Sequence, residues 1–340
     1  MSAADHYHVV RSSPASRVAT VFGLALLIAL VVAPWWAGRA DMRLLSEIFL
    51  YLALASLWNL LAGYAGLVSV GQQAYVGFGG YLLFGLAMFA GIHPLAAVPL
   101  IAILGTLISI PVAILIFRLR GAYFAIGTWV VAEVFRLSFA QVTALGGGSG
   151  TSLPVGIVKA IASNRSGREA ATYWMALGVL VLVIAVVWAL LRSRAGLALT
   201  AIRDNETASS GLGIDIWRTK FLVYAVTAGL TSAVGALIFL QKLRVSPDAA
   251  FSVNDWTAFV IFFVVIGGIG TIEGPVIGVL VFFVLRETLA DLGTTYLLIL
   301  GVVAIGVMLF MPKGIWGTIK EKTGLELFSL ARRVRQKAGD

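Results

Sequence analysis

The chain has no cysteine among its 340 residues and only three histidines, His6, His8 and His93. The first absence excludes disulfides, thiol chemistry and cysteine-based metal sites, and the histidines are too scattered to form a metal centre. Charge is scarce as well. Only 12% of residues are charged against 60% hydrophobic, and mean hydropathy is +0.97. A soluble domain carries about 25% charged residues, so there is too little polar surface to cover a water-facing globule. Also missing are a Gly-x-x-x-x-Gly-Lys-[Ser/Thr] phosphate loop, a His-Glu-x-x-His zinc motif and a Gly-x-Ser-x-Gly elbow. No catalytic or metal-ligating residues are assigned, and the chain reads as a non-enzyme. Any ATP used with it would have to bind elsewhere. Lys and Arg total 25 against 16 Asp and Glu, a net charge of +9. The basic residues sit beside apolar runs, so membrane orientation and anionic lipid head groups account for them without nucleic acid.

What is present is a series of apolar runs. They cover about 18–37, 44–61, a glycine-rich stretch from Gly63 leading into a run that ends near Ala90, then 95–117, 122–139, 171–191, 221–240, 256–266, 276–289 and 296–311. A bilayer span takes about 20 such residues. The expectation is an all-α polytopic membrane protein with about ten transmembrane helices. Residues 1–17 form a short N-terminal segment, 18–311 the membrane domain and 312–340 a basic tail. The first run is longer than the core of a signal peptide and is read as a retained span. With the N-terminus inside and strict alternation, sixteen of the Lys and Arg fall on inside segments and seven on outside loops. This bias predicts both termini, and the long polar stretch at about 192–220, on the cytoplasmic side.

That polar stretch carries Arg192, Arg194, Arg203, Asp204, Asn205, Glu206, Asp215, Arg218 and Lys220. It reads either as a docking surface for a soluble partner or as an ordinary basic loop. Two other stretches break the apolar pattern with glycine: Gly63-x-x-Gly66-x-x-Ser69-x-Gly71, and Gly267-Gly268-x-Gly270-x-x-Glu273-Gly274-Pro275. Glycine at this density weakens a helix, and backbone freed at membrane depth must face protein or a water-filled cavity. Paired breaks of this kind point to two related halves around a central pathway; small-residue helix packing is the other account. For the second stretch, with Gly267, Gly268 and Gly270, both accounts stay open. In the first, Ser69, Gln72, Gln73 and Tyr75 cluster with Gly66 and Gly79, and Asn59 precedes them, which favours a pathway lining. Glu133 lies inside a span, a position that marks functional candidates, but Arg136 is three residues on and can neutralise it.

Taken together, these segments resemble a known family. Leu199 to Ile214, with Arg203-Asp204-Asn205-Glu206, Ala208 and Gly213, is similar to the coupling loop of ABC-importer permeases, in the form seen in the branched-chain amino acid permease family. Gly66 to Tyr81, Arg118 to Ile126, Val265 to Gly278 and Met311 to Ile315 resemble further signatures of that family in the same order. The match covers about residues 45–317 and is most similar to the LivM-type half of the pair. The sequence departs from the usual pattern in three places. Gln72-Gln73 stands where a His-Ala pair is common, Leu67 where Gln is frequent, and Ser209 where a second Ala is usual. The resemblance implies a permease subunit in a bacterial inner membrane and several partners. These are a second, LivH-like permease chain, two cytoplasmic ATPases that hold the ATP and Mg, a periplasmic binding protein, and membrane lipids. It assigns Arg203 and Glu206 as anchors against the ATPase, and Ala208 and Gly213 as positions allowing close approach. Urea, short amides, aromatic acids or sugars are alternative cargoes, and an ATPase-independent secondary transporter is the alternative from another class.

Overall fold

The structure, a computed structural model, describes residues 7–10, 14–289, 295–324, 327–328 and 333–336. In chain order the helices are α1 (Pro14–Val32), α2 (Arg39–Asn59), α3 (Gln72–Phe89), α4 (Pro94–Ile116), α5 (Ala122–Ala140), α6 (Val155–Ile161), α7 (Arg165–Arg192), α8 (Arg194–Asp204), α9 (Glu206–Gly211), α10 (Ile216–Lys242), α11 (Pro247–Ala250), α12 (Phe259–Gly267), α13 (Gly274–Thr288), α14 (Thr295–Phe310) and α15 (Gly314–Thr323). Short antiparallel pairs join β1 (Tyr7–Val10) to β4 (Arg333–Gln336) and β2 (Thr151–Ser152) to β3 (Arg244–Val245).

Among the described residues, eight helical stretches are long and apolar enough to cross a membrane. The remaining two apolar runs form α3 and α13, which do not meet that measure. Length and composition therefore give eight candidate spans where about ten are expected, in a polytopic all-α membrane protein. The residues beyond 312 also begin differently from a plain tail, because Gly314–Thr323 folds into α15 and buries Trp316.

Successive helices run up and down, so the connections gather at two ends. The near end holds α8, α9, the breaks after Tyr64 and Gly267, and the start of α15. Its cohesion is visible in Arg203 reaching Gly63 and in the Trp217 ring standing edge-on to Phe117. The far end brings Arg39 and Arg43 of α2 to Glu169 of α7, Trp35 to Trp174, and Leu153 to Leu243.

Helix ends follow local chemistry. Asn164 caps α7 by accepting from the Gly167 amide (2.7 Å), and Asp215 caps α10 by accepting from the Arg218 amide (3.0 Å). The central helix is α10, whose middle is small-residue sequence, Ala228-Gly229 through Ala236. Those residues let it sit between α3 and α4 at backbone distance. A Cβ on Gly79 would overlap the Ser232 carbonyl oxygen, one on Gly235 would overlap Val76, and one on Gly229 would meet Thr106 and Ala102. Lipid supplies no hydrophobic drive between helices, so such close contact is what holds them.

Gly79→Val therefore forces α3 and α10 apart and costs about 1–3 kcal/mol or more by overpacking. Gly85→Ala, in the same helix with open space beside it, is neutral or stabilising. Thermal unfolding of the two purified variants in detergent should separate them in that order; equal midpoints would contradict this packing.

Candidate functional site

Three segments converge at the near end. The last turn of α2 widens into a π-helical turn at Leu60–Tyr64, after which Gly66 takes φ +68° and the chain runs without helix to Gly71. The second break follows α12, with Gly268 at φ +128° and Gly270 at +75°. Positive φ at these positions is where glycine is required. The third segment is α8–α9.

Asn59 joins the two breaks. Its Nδ2 donates to the Thr271 carbonyl (2.7 Å), and its Oδ1 accepts from the Gly270 amide (2.8 Å). One buried amide thus replaces a donor and an acceptor that the broken helix cannot supply. Arg203 joins the third segment to the first. Its Nη1 donates to the Gly63 carbonyl (2.8 Å), while its Nε and Nη2 hold Asp204 (3.0 and 2.9 Å). Its side chain also packs beside Gly66. Higher up the first break, Thr128 of α5 accepts from the Val70 amide (3.0 Å), Ser69 Oγ accepts from the Gly71 amide (3.2 Å), and Trp58 donates to the Ser69 carbonyl (2.8 Å).

Within the coupling-like segment, Asn205 caps α9 by accepting from the Ala208 amide (2.9 Å), and Glu206 pairs with Lys220 (2.9 Å). Ser209 points inward, donating to the Asn205 carbonyl, so its departure from the family pattern does not touch the outer surface. Thr207, Ala208, Ser210 and Gly211 face outward, and Leu212 beside them is 80% exposed. Gly213 is also exposed, and a Cβ there would meet nothing within 4 Å among the described residues. What it supplies is φ +79°. Arg203, expected to face a partner, is turned toward its own membrane domain.

The pathway candidates do not form one lining. Asn59, Gly66 and Gly270 belong to the near-end junction. Gly267 is a packing glycine, since a Cβ there would overlap the Gly274 carbonyl, and Gly268, which gives the break its positive φ, lies close to Lys313 and Gly317. Gly79 is the α3–α10 contact described above. Gln73 accepts from the Thr257 hydroxyl on one side of α3. Ser69, Gln72 and Tyr75 meet on the other, where Tyr75 donates to Tyr224 (2.9 Å) and Gln72 donates to Leu54 (3.2 Å). Thr227 and Thr231 complete this polar pocket, and their hydroxyls, like Gln72 Oε1, are buried without a partner among the described residues. The pocket measures only about 10 Å³, close to the room one water needs. Sequence reasoning missed Tyr224, Thr227 and Thr231. Their spacing of three and four places them on one helix face, a signal available in the seventh apolar run. Glu133 and Arg136 form the expected pair (2.6 Å), and Arg136 adds Asp248 (2.8 Å).

Asn59→Ala leaves the half-buried Thr271 carbonyl and Gly270 amide unpaired, at about 1 kcal/mol for each group left unsatisfied. Asn59→Asp removes only the donor and destabilises by a different amount. Unfolding midpoints should fall for both variants; an unchanged midpoint for Asn59→Ala would show that the breaks are held elsewhere.

Comparison with known proteins bears on this arrangement. The model of the family described as "Branched-chain amino acid transport system / permease component" matches residues 42–312. A high-affinity branched-chain amino acid transport system permease protein LivM of Salmonella typhimurium is 26% identical over 87% of this chain and 74% of its own length. Its Escherichia coli counterpart is 25% identical over the same shares. A fructose import permease protein, FruF of Bifidobacterium longum, is 29% identical over 34% of each chain. No solved structure matches. With eight membrane-length helices and a family match across most of its length, the chain belongs to the branched-chain amino acid transport system permease family.

Proposed function

We propose that the chain is one permease subunit of an ATP-driven importer for branched-chain amino acids in a bacterial cytoplasmic membrane. A second permease chain completes the pathway, a periplasmic binding protein delivers the cargo, and two cytoplasmic ATPases carry ATP and Mg. The near end is cytoplasmic, as the distribution of Lys and Arg favours. The observation that carries this reading is the Arg203–Gly63 bond, which ties α8–α9 to the point where α2 breaks. Asn59 then ties that point to the break after α12. A push on the small, outward face of α9 has a direct route to both interrupted helices. Arg203, Asp204, Asn205, Glu206, Ala208 and Gly213 act here as the coupling element. Arg203 and Asn205 hold it together, and Ala208 and Gly211 leave room for a docking partner.

Two carboxylates within the spans favour this over an autonomous ion-driven carrier. Glu47 pairs with Arg286 (2.7 Å) and Glu133 with Arg136, so neither stands as a free proton relay. Branched-chain cargo rests on the LivM relatives, which match most of the chain, whereas the fructose permease matches a third.

Arg203→Ala should retain ATPase association and lower ATP-driven leucine uptake by about tenfold or more. The lost bond is charge-assisted and worth about 1.5–3 kcal/mol. The measurement is co-purification of the complex, followed by uptake into proteoliposomes with the binding protein present. Full uptake by this chain with no ATPase in the preparation would overturn the reading.

A further inference from the structure

A cavity of about 630 Å³ opens at the far end between α2, α7 and α10, away from the near-end junction. Its charges do not balance. Glu169 is met by three guanidinium groups: Arg39 (3.1 Å), Arg43 (2.5 Å) and Arg165 (3.2 Å). Glu47 is matched by Arg286 in a two-pronged bond (2.7 and 3.0 Å). Arg168 and Lys242 also line the cavity, and among the described residues neither forms an ion pair. Lys242 instead stands over the Trp256 ring, its Nζ 4.6 Å from the centroid. The cluster is short of anions, at the end where the charge bias leaves fewest cations. Glu47 and Asp255 offset part of the Lys242 charge, and the surplus that remains, beside a low-dielectric membrane, attracts an anion.

The floor is of another kind. From Arg43 to Tyr51, α2 descends about 12 Å at 1.5 Å per residue, and the lining changes from charged to Leu50, Tyr51 and Trp256. Leu50 is buried, and the Tyr51 and Trp256 rings stack at 5.9 Å. The cavity thus has a cationic rim with two carboxylates, Glu169 held by its three arginines and Glu47 held by Arg286, and an apolar floor. Its volume lies within the range of small-molecule sites, about 300–1,000 Å³. Further in, the Gln72–Tyr75–Thr231 pocket is too small for anything larger than water.

We infer that this far-end cavity is the receiving site for an aliphatic α-amino acid, taken from outside before it enters the pathway. The α-carboxylate lies against Arg168 and Lys242, the ammonium group beside Glu47, and the branched side chain on Tyr51 and Trp256. This inference rests on the importer reading above and assigns that reading its outer subsite.

The test uses the complete nucleotide-free importer in nanodiscs, without the binding protein, and equilibrium binding of radiolabelled leucine. Leucine should compete, and leucinamide, which lacks the carboxylate, should compete at least about tenfold less well, as loss of a charge-assisted contact requires. The Arg168→Gln, Lys242→Gln double variant should bind leucine about tenfold more weakly, while Lys242→Arg stays near wild type. Native mass spectrometry of the same samples reports retained phospholipid. Leucine binding unchanged in the double variant overturns the inference. So does an anionic phospholipid that is lost in the variant while leucine binding persists, since the cavity is then a lipid site. Leucine uptake by the wild-type importer, measured in parallel, separates the two levels. Uptake without cavity-dependent binding removes only this inference, whereas no uptake of leucine removes the cargo assignment and the inference with it.

Discussion

A polypeptide inside a bilayer must satisfy every backbone amide and carbonyl from within, because no water is there to do it. This chain breaks two of its helices and then meets that requirement with very few side chains. Asn59 is the most economical of them, since one amide serves both the Gly270 amide and the Thr271 carbonyl. Thr128, Ser69 and Trp58 serve the last residues of the first break, Ser69 to Gly71. The interrupted helices can exist only because these partners are fixed in place, and the partners are fixed by the packing of α2, α5 and α12 around them.

The same requirement explains the glycine distribution. At Gly66, Gly268 and Gly270 the backbone takes positive φ. At Gly79, Gly235, Gly267 and Gly278 it does not, and these residues are small because a neighbouring backbone lies where a Cβ would go. The first group shapes the breaks and the second locks the helices that flank them. Arg203 connects this rigid junction to α8–α9. Force from a soluble partner would arrive at the one place where helix geometry has already been given up, and displacement there costs fewer hydrogen bonds than bending an intact span.

Much of the architecture was legible in the sequence because a membrane helix is written as an apolar run, and turns are written as Pro, Gly and charge. Helix boundaries were less so. The π turn after Asn59 and the early start of α7 at Arg165 have no hydropathy signature. The polar candidates dispersed for a similar reason. Composition marks Ser69, Gln72, Gln73 and Tyr75 as neighbours in sequence, but the roughly 100° step of a helix sends Gln73 to Thr257 and Gln72 to the Leu54 carbonyl. Asn59 looked like pathway lining and is a strut between breaks. The far-end cavity left no trace in any single run, because Glu47, Arg168, Lys242 and Trp256 come from four separate segments.

The central claim is that α8–α9 and the two helix breaks move as one mechanical unit. Hydrogen–deuterium exchange of the assembled importer, with and without ATP, tests it most directly. The account predicts that peptides covering residues 59–66, 199–206 and 267–274 change protection together on nucleotide binding. A change confined to residues 199–211, with both breaks unaltered, would contradict it.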